Sequence, residues 1–303
     1  MTQKSLDAKL ARIHADPHGA SDFILADAKD ADMAMGLLAT GPAWGDEIER
    51  PRSLTEYREQ MRQVARQQLV DILLVSASSH DLLSMEERLF DGSPVTVAVR
   101  ANDTTDIHLV RGGRYSQAPS MPFRSGTIEQ LQCGRVSCSD EDPRRGCNLA
   151  SYSITLNNHP EADLRTLEAY RSFRIEAEQK GLRHFLEVFD PNVPGAVDPA
   201  KLGDFVNDQI ARLLAGVPRA GRPIFLKIAY HGPRCMEELV SYDPHLVPGI
   251  LGGAAGTTHD AFHLLAEARK HGARAALFGR KINRAEHQLT FISLLRRVAD
   301  RDI

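Results

Sequence analysis

The feature that most constrains this chain is a recurrence: eight short apolar runs, separated along most of its length by longer amphipathic stretches. The runs are FILAD (23–27), DILLVSA (71–77), PVTVAVR (94–100), LASYSITL (149–156), HFLEVF (184–189), PIFLKIAY (223–230), VPGILGG (247–253) and AALFG (275–279). Several are apolar at nearly every position rather than at alternate ones, as expected of parallel strands covered on both faces. Between them, 54–68, 161–180, 200–215, 258–271 and 285–299 read as helices. Eight such units in 303 residues predict an α/β chain folded as a (β/α)8 TIM barrel, one domain over 1–303. The competing open, doubly wound sheet would want a GxGxxG after the first run, and none is there. Residues 3–16, within an N-terminal 1–20 segment, are predicted to form a helix capping the barrel bottom. The 101–146 segment breaks the alternation, being long, polar and rich in Arg, Gly and Ser. A connection of that length is functional or carries structure of its own; a short helix is predicted near 127–133.

Composition narrows the partners. A formal charge of −3 gives no basic face for nucleic acid or an anionic membrane. No apolar run approaches the roughly 20 residues that span a bilayer, and the first residues lack the apolar core of a signal peptide, so a cytoplasmic protein is expected. The four cysteines, at 133, 138, 147 and 235, show no CxxC spacing and are expected to be reduced and structurally incidental. No cluster of His, Asp and Glu gathers at the strand ends, so no metal site is expected.

Barrels carry their chemistry at the C-terminal ends of strands, and there the polar residues are few. Only eight of the 37 basic residues are lysine, and Lys227, in PIFLKIAY, is the single charge in its run. An ammonium there loses hydration, which favours the neutral, nucleophilic amine; such an amine adds to a carbonyl and gives an iminium able to accept electrons from a breaking carbon–carbon bond. The competing reading is an ion pair serving only stability. Glu187 in HFLEVF is the mirror case, a lone carboxylate one strand earlier. Asp27 ends the first run and is followed by Lys29 and Asp30. Glu187 and Asp27 are the candidate proton-transfer groups for Lys227.

Glycines give a second signal. Gly252 and Gly253 end the seventh run before a predicted helix, and Gly279 with Arg280 ends the eighth. Loops in these two places commonly bind phosphate through backbone N–H groups and a helix N-terminus. Arg100 and Ser153, on the third and fourth runs, complete the candidate substrate contacts. Arg111, Arg114 and Arg124 could hold a second anionic end, against the simpler reading of a solvated basic loop.

At this point the sequence resembles a known family. FLKIAYHG followed by PGILGGAAGTTHDAFHLLAEARKHGARAALFGRKI is similar to the end of the class I aldolases grouped with tagatose-bisphosphate aldolase and the archaeal-type fructose-bisphosphate aldolases. ILADAKDADMAMG and HFLEVF resemble that family's first and fifth strands. The good match covers roughly 80 residues. The resemblance implies an aldolase-type barrel, with Lys227 as the Schiff-base lysine, Asp27 and Glu187 as active-site acids, and Gly252, Gly253, Gly279 and Arg280 around a phosphate. It also implies reversible aldol cleavage of a phosphorylated or otherwise anionic keto sugar, with no cofactor because the iminium is the electron sink. The partner is then a small-molecule sugar phosphate, and a homo-oligomer is compatible with such barrels. The chain departs from relatives that carry a further lysine on strand 4, where it has Ser153, and a tyrosine on strand 5, where it has Phe189. Another Schiff-base acyl-transferase or isomerase, or a catalytically idle sugar-phosphate-binding barrel, are the alternative readings.

Overall fold

A computed structural model describes residues 2–44, 50–139, 146–253 and 256–303. Eight parallel strands close on themselves in chain order, strand 1 pairing with both strand 2 and strand 8. They are strand 1 (Ile24–Lys29), strand 2 (Ile72–Val75), strand 3 (Thr96–Arg100), strand 4 (Leu149–Thr155), strand 5 (Arg183–Phe189), strand 6 (Leu226–Ile228), strand 7 (Pro248–Leu251) and strand 8 (Ala275–Phe278). Every one falls on a predicted run. The (β/α)8 barrel is the fold of this chain.

Strand periodicity sorts each run into two faces. Ile24, Ala26, Ile72, Leu74, Phe225 and Leu277 join one buried cluster inside the barrel, while Leu25, Leu73, Val75, Leu226 and Phe278 join another beneath the helices. The rings of Phe185 and Phe225 stack 4.6 Å apart within the inner cluster. Helix Ser5–Ala15 adds Leu6, Leu10 and Ile13 to that same cluster, each buried, so it plugs the end of the barrel as its spacing predicts. Full burial of such side chains is worth roughly 1.5–3 kcal/mol each. Just before this helix, Lys4 Nζ donates to the carbonyls of Phe90, Ser93 and Val95 at 2.8–3.0 Å.

The helices Leu54–Gln67, Pro160–Gln179, Leu202–Ala215, Thr258–Lys270 and Gln288–Asp300 lie where periodicity places them. The first is held by a capping box in which Ser53 and Glu56 exchange hydrogen bonds.

The long segment after strand 3 carries structure of its own. Asp103–Thr104 and Pro122–Phe123 form a small antiparallel pair, and Ile128–Cys133 is the predicted short helix. Its residues 140–145 lie outside the described residues. One expectation is corrected here: Cys133 and Cys138 are disulfide-bonded, with Cα atoms 5.9 Å apart, whereas Cys147 and Cys235 are free and buried. The helix ends at Gly134 in the left-handed conformation (φ 78°), which turns the chain back and returns residue 138 to residue 133.

Candidate active site

The inward face of strands 4 to 6 aligns three polar residues in one layer, because Ser153 registers with Glu187 and Glu187 with Lys227. Lys227 has the same parity as Phe225, so its side chain enters the barrel instead of the helix layer. Its Nζ lies 2.5 Å from Glu187 Oε1. The second oxygen of Glu187 accepts a hydrogen bond of 2.9 Å from Ser153 Oγ. Ser153 is itself fixed by its backbone, which exchanges two hydrogen bonds of 2.7 and 2.8 Å with the Asn102 amide. The carboxylate is therefore oriented by two donors and compensates an ammonium that burial would otherwise penalise.

These groups open onto a pocket of about 130 Å³ that is also lined by Asp30, Arg100, Gly252, Gly253, Gly279 and Arg280. Most of the predicted site residues thus converge. Ser153 lies behind the wall and reaches the pocket through Glu187.

Asp27 does not converge, and the expectation for it is corrected. Ile24, Ala26 and Ala28 hold the inner positions of strand 1, so Asp27 points outward under the helices. There it sits 3.2 Å from Lys29 Nζ, both side chains fully buried. Lys29 also donates to Asn283 Oδ1 at 2.5 Å, and Asn283 donates to the Tyr57 hydroxyl at 3.1 Å. Burial pushes the Asp27 carboxyl up to about 6, even though Lys29 beside it pulls the other way. The strand-1 acid that lines the pocket is Asp30, one residue past the strand and on the inward parity.

Arg100 is in the pocket wall but heavily committed. It contacts Asp30 at 3.2 Å and Asp103 at 2.9 Å, and its Nε donates to the Asn102 carbonyl at 3.0 Å. Arg280 has no carboxylate in ion-pairing distance among the described residues, and it lines the pocket directly after strand 8. Arg111, Arg114 and Arg124 are absent from the pocket lining; Arg124 pairs with Glu176 at 2.6 Å and lies over the Phe173 ring.

The glycine loops bring backbone close to the pocket. Gly253 has φ +60°, a conformation that side chains disfavour. A Cβ on Gly279 would come within 2.7 Å of the Ala28 carbonyl oxygen, so strand 8 can leave the barrel there only as glycine. Lys281 Nζ donates to the carbonyl of Gly256, joining the two loops. The N-terminus of helix Thr258–Lys270 is already occupied, because the Asp260 carboxylate accepts from Thr257 N at 2.6 Å. Gly253 and Arg280, unlike that helix end, line the pocket.

The segment after strand 3 supplies a wall that sequence reading missed. Asp106 accepts from Thr155 Oγ1 at 2.7 Å and from Ser120 Oγ at 2.8 Å, pinning the segment above strand 4. Leu109 N then donates to the Ala34 carbonyl at 2.8 Å, so the chain reaches the loop after strand 1. Ile107 and Leu109 line the pocket as a result, beside Ala34 and Met35. At the rim, His231 Nε2 and Asp190 Oδ1 are 2.9 Å apart, and neither lines the pocket.

No family model and no curated sequence matches the chain. Solved structures do resemble it. An archaeal fructose-1,6-bisphosphate aldolase, described with its catalytic Lys covalently bound to the carbinolamine intermediate of the substrate, superposes with a TM-score of 0.66 at 15% identity, covering 96% of this chain and 99% of that one. A fructose-bisphosphate aldolase from Slackia heliotrinireducens gives 0.66 at 12% identity, with coverage of 98% and 87%. Cgl0159 from Corynebacterium glutamicum gives 0.64 at 20% identity, with coverage of 99% and 98%. At these identities the likeness establishes the barrel fold.

Proposed function

We propose that the chain is a class I, Schiff-base lyase that reversibly cleaves a keto sugar bearing an anionic group. The observation that carries this reading is the inward Lys227, with Nζ 2.5 Å from Glu187 Oε1 at the wall of a pocket on the strand ends. Its support from outside the chain is the likeness to barrels described as aldolases, one of them with a covalently bound catalytic Lys.

Lys227 first passes a proton to Glu187, and the neutral amine adds to the substrate ketone. Glu187 protonates the departing hydroxyl, water leaves, and an iminium remains. A carboxylate then removes the proton from the hydroxyl two carbons from the iminium carbon. Electrons of the intervening carbon–carbon bond move into the iminium, which releases an aldehyde and leaves an enamine. Protonation of the enamine carbon and hydrolysis regenerate the lysine. Asp30, lining the pocket from strand 1, is the acid placed for the hydroxyl proton, the role expected of Asp27; Glu187 serves the nitrogen and the departing water. Gly253 and Arg280 hold the anion of the keto fragment.

The reading is tested by incubating the protein with dihydroxyacetone phosphate in deuterated water. Enamine formation exchanges one carbon-bound proton, which NMR reads as loss of signal. The native chain exchanges it and Lys227→Arg, which keeps the charge, does not. A native chain that binds the ketone phosphate without exchange would instead be an idle binding barrel.

A further inference from the structure

We propose that the substrate carries a single anionic group, on its keto fragment, and that the aldehyde released from the other fragment is short and uncharged. This rests on the lyase reading of the same pocket. The pocket has two unlike sides. Strands 6 to 8 contribute Lys227, Gly253 and Arg280 along with Leu251 and Leu277, whereas the loop after strand 1 and the segment after strand 3 contribute Ala31, Ala34, Met35, Ile107 and Leu109 beside the ion-paired Asp30 and Arg100. Phe189, from strand 5, extends the apolar side.

The charges are distributed as unevenly. Lys227 is matched by Glu187, and Arg100 by both Asp30 and Asp103. Arg280 alone among the lining cations lacks a carboxylate partner within the described residues. It directly follows strand 8, near enough to Glu187, the partner of Lys227, to feel its charge. With Lys227 bonded to the keto carbon, an anion at Gly253 and Arg280 belongs to the keto fragment. The fragment beyond the scissile bond then meets the apolar side. A phosphate there would carry about −1.5 to −2 charges against Ile107, Leu109 and Met35, with Asp30 on the same strand-1 side. Arg111, Arg114 and Arg124, which could have answered it, stand outside the pocket lining.

The test runs the reaction towards synthesis. Dihydroxyacetone phosphate is offered with propanal, glycolaldehyde or glyceraldehyde 3-phosphate, and kcat/KM is read for each from the new ketose signal. The native chain should prefer the better uncharged aldehyde over the phosphorylated one by at least about tenfold, the penalty of an unanswered charge. Leu109→Lys, at a residue 44% exposed, places a cation on the apolar side and should shift that ratio towards the phosphorylated aldehyde by about tenfold. A native preference for glyceraldehyde 3-phosphate, or a ratio unmoved by Leu109→Lys, overturns the proposal. Proton exchange on dihydroxyacetone phosphate alone separates the two levels. Exchange with the wrong aldehyde preference removes only this inference, whereas no exchange removes the lyase reading and this inference with it.

Discussion

Lys29 and Lys227 make the same local interaction in opposite compartments. Each lies in an apolar strand with a carboxylate beside it, Asp27 at 3.2 Å for the first and Glu187 at 2.5 Å for the second. The Lys29 pair has side-chain exposures of 0% and 0% and is sealed beneath Tyr57 and Asn283. The Lys227 pair has 8% and 5%, and that margin opens onto the pocket. Parity along the strand decides the compartment: Lys29 is on the helix-facing side and Lys227 on the barrel-facing side. An amine cut off from substrate can only contribute to folding, whereas one with access can react. A buried lysine is thus a functional candidate only once its face is known.

The comparison breaks first at Lys227. Lys227→Arg preserves the ion pair but removes the accessible neutral amine, so turnover should disappear while the circular dichroism spectrum and melting temperature stay near native. Lys29→Met should do the reverse. Leaving Asp27 buried without its cation costs about 3–5 kcal/mol of stability, read by denaturant unfolding, with turnover per folded molecule retained. The pH dependence follows from Asp27. Its folded pKa of about 6 lies above the value of 3.8 for the exposed acid, so its stabilising contribution is complete at acid pH and is lost as pH rises towards about 6. Removing Lys29 takes away the cation that limits the rise, so the destabilisation relative to the native chain should grow above about pH 6.

Smaller effects sharpen the account of the open site. Arg280→Ala should raise KM for an anionic ketose about 10- to 100-fold, the loss of roughly 1.5–3 kcal/mol from one charge-assisted contact, with little change in kcat if ground state and transition state feel it equally. An unchanged KM would remove the anion from this corner. Ser153→Ala deletes one of the two donors on Glu187 and should lower kcat/KM about fivefold, or about 1 kcal/mol, without altering stability to the degree of Lys29→Met.

Much of this was legible in the sequence because barrel strands impose simple demands. The runs had to be apolar on both faces, so Lys227 and Glu187 stood out as lone charges, and adjacent strands brought them into register. Strand 1 was misread at Asp27 because residues 23–26 are all apolar and give no parity. A usable signal lay in ADAKD: Asp27 and Lys29, two apart, share a face and answer each other, while Ala26, Ala28 and Asp30 occupy the other. The apolar wall from Ile107 and Leu109 had no such signal. It depends on Asp106 pinning an irregular segment to Thr155 and on a backbone hydrogen bond to Ala34, neither of which leaves a periodicity to read. The Cys133–Cys138 bond depended likewise on a helix ending in a left-handed glycine.

The central claim is that Lys227 forms a covalent imine, and reductive trapping reads it most directly. The protein is incubated with dihydroxyacetone phosphate, reduced with borohydride, digested and weighed peptide by peptide. The account predicts one adduct, on the peptide containing Lys227, and none in Lys227→Arg. An adduct on Lys29 or Lys281 instead, or no adduct at all, would contradict it.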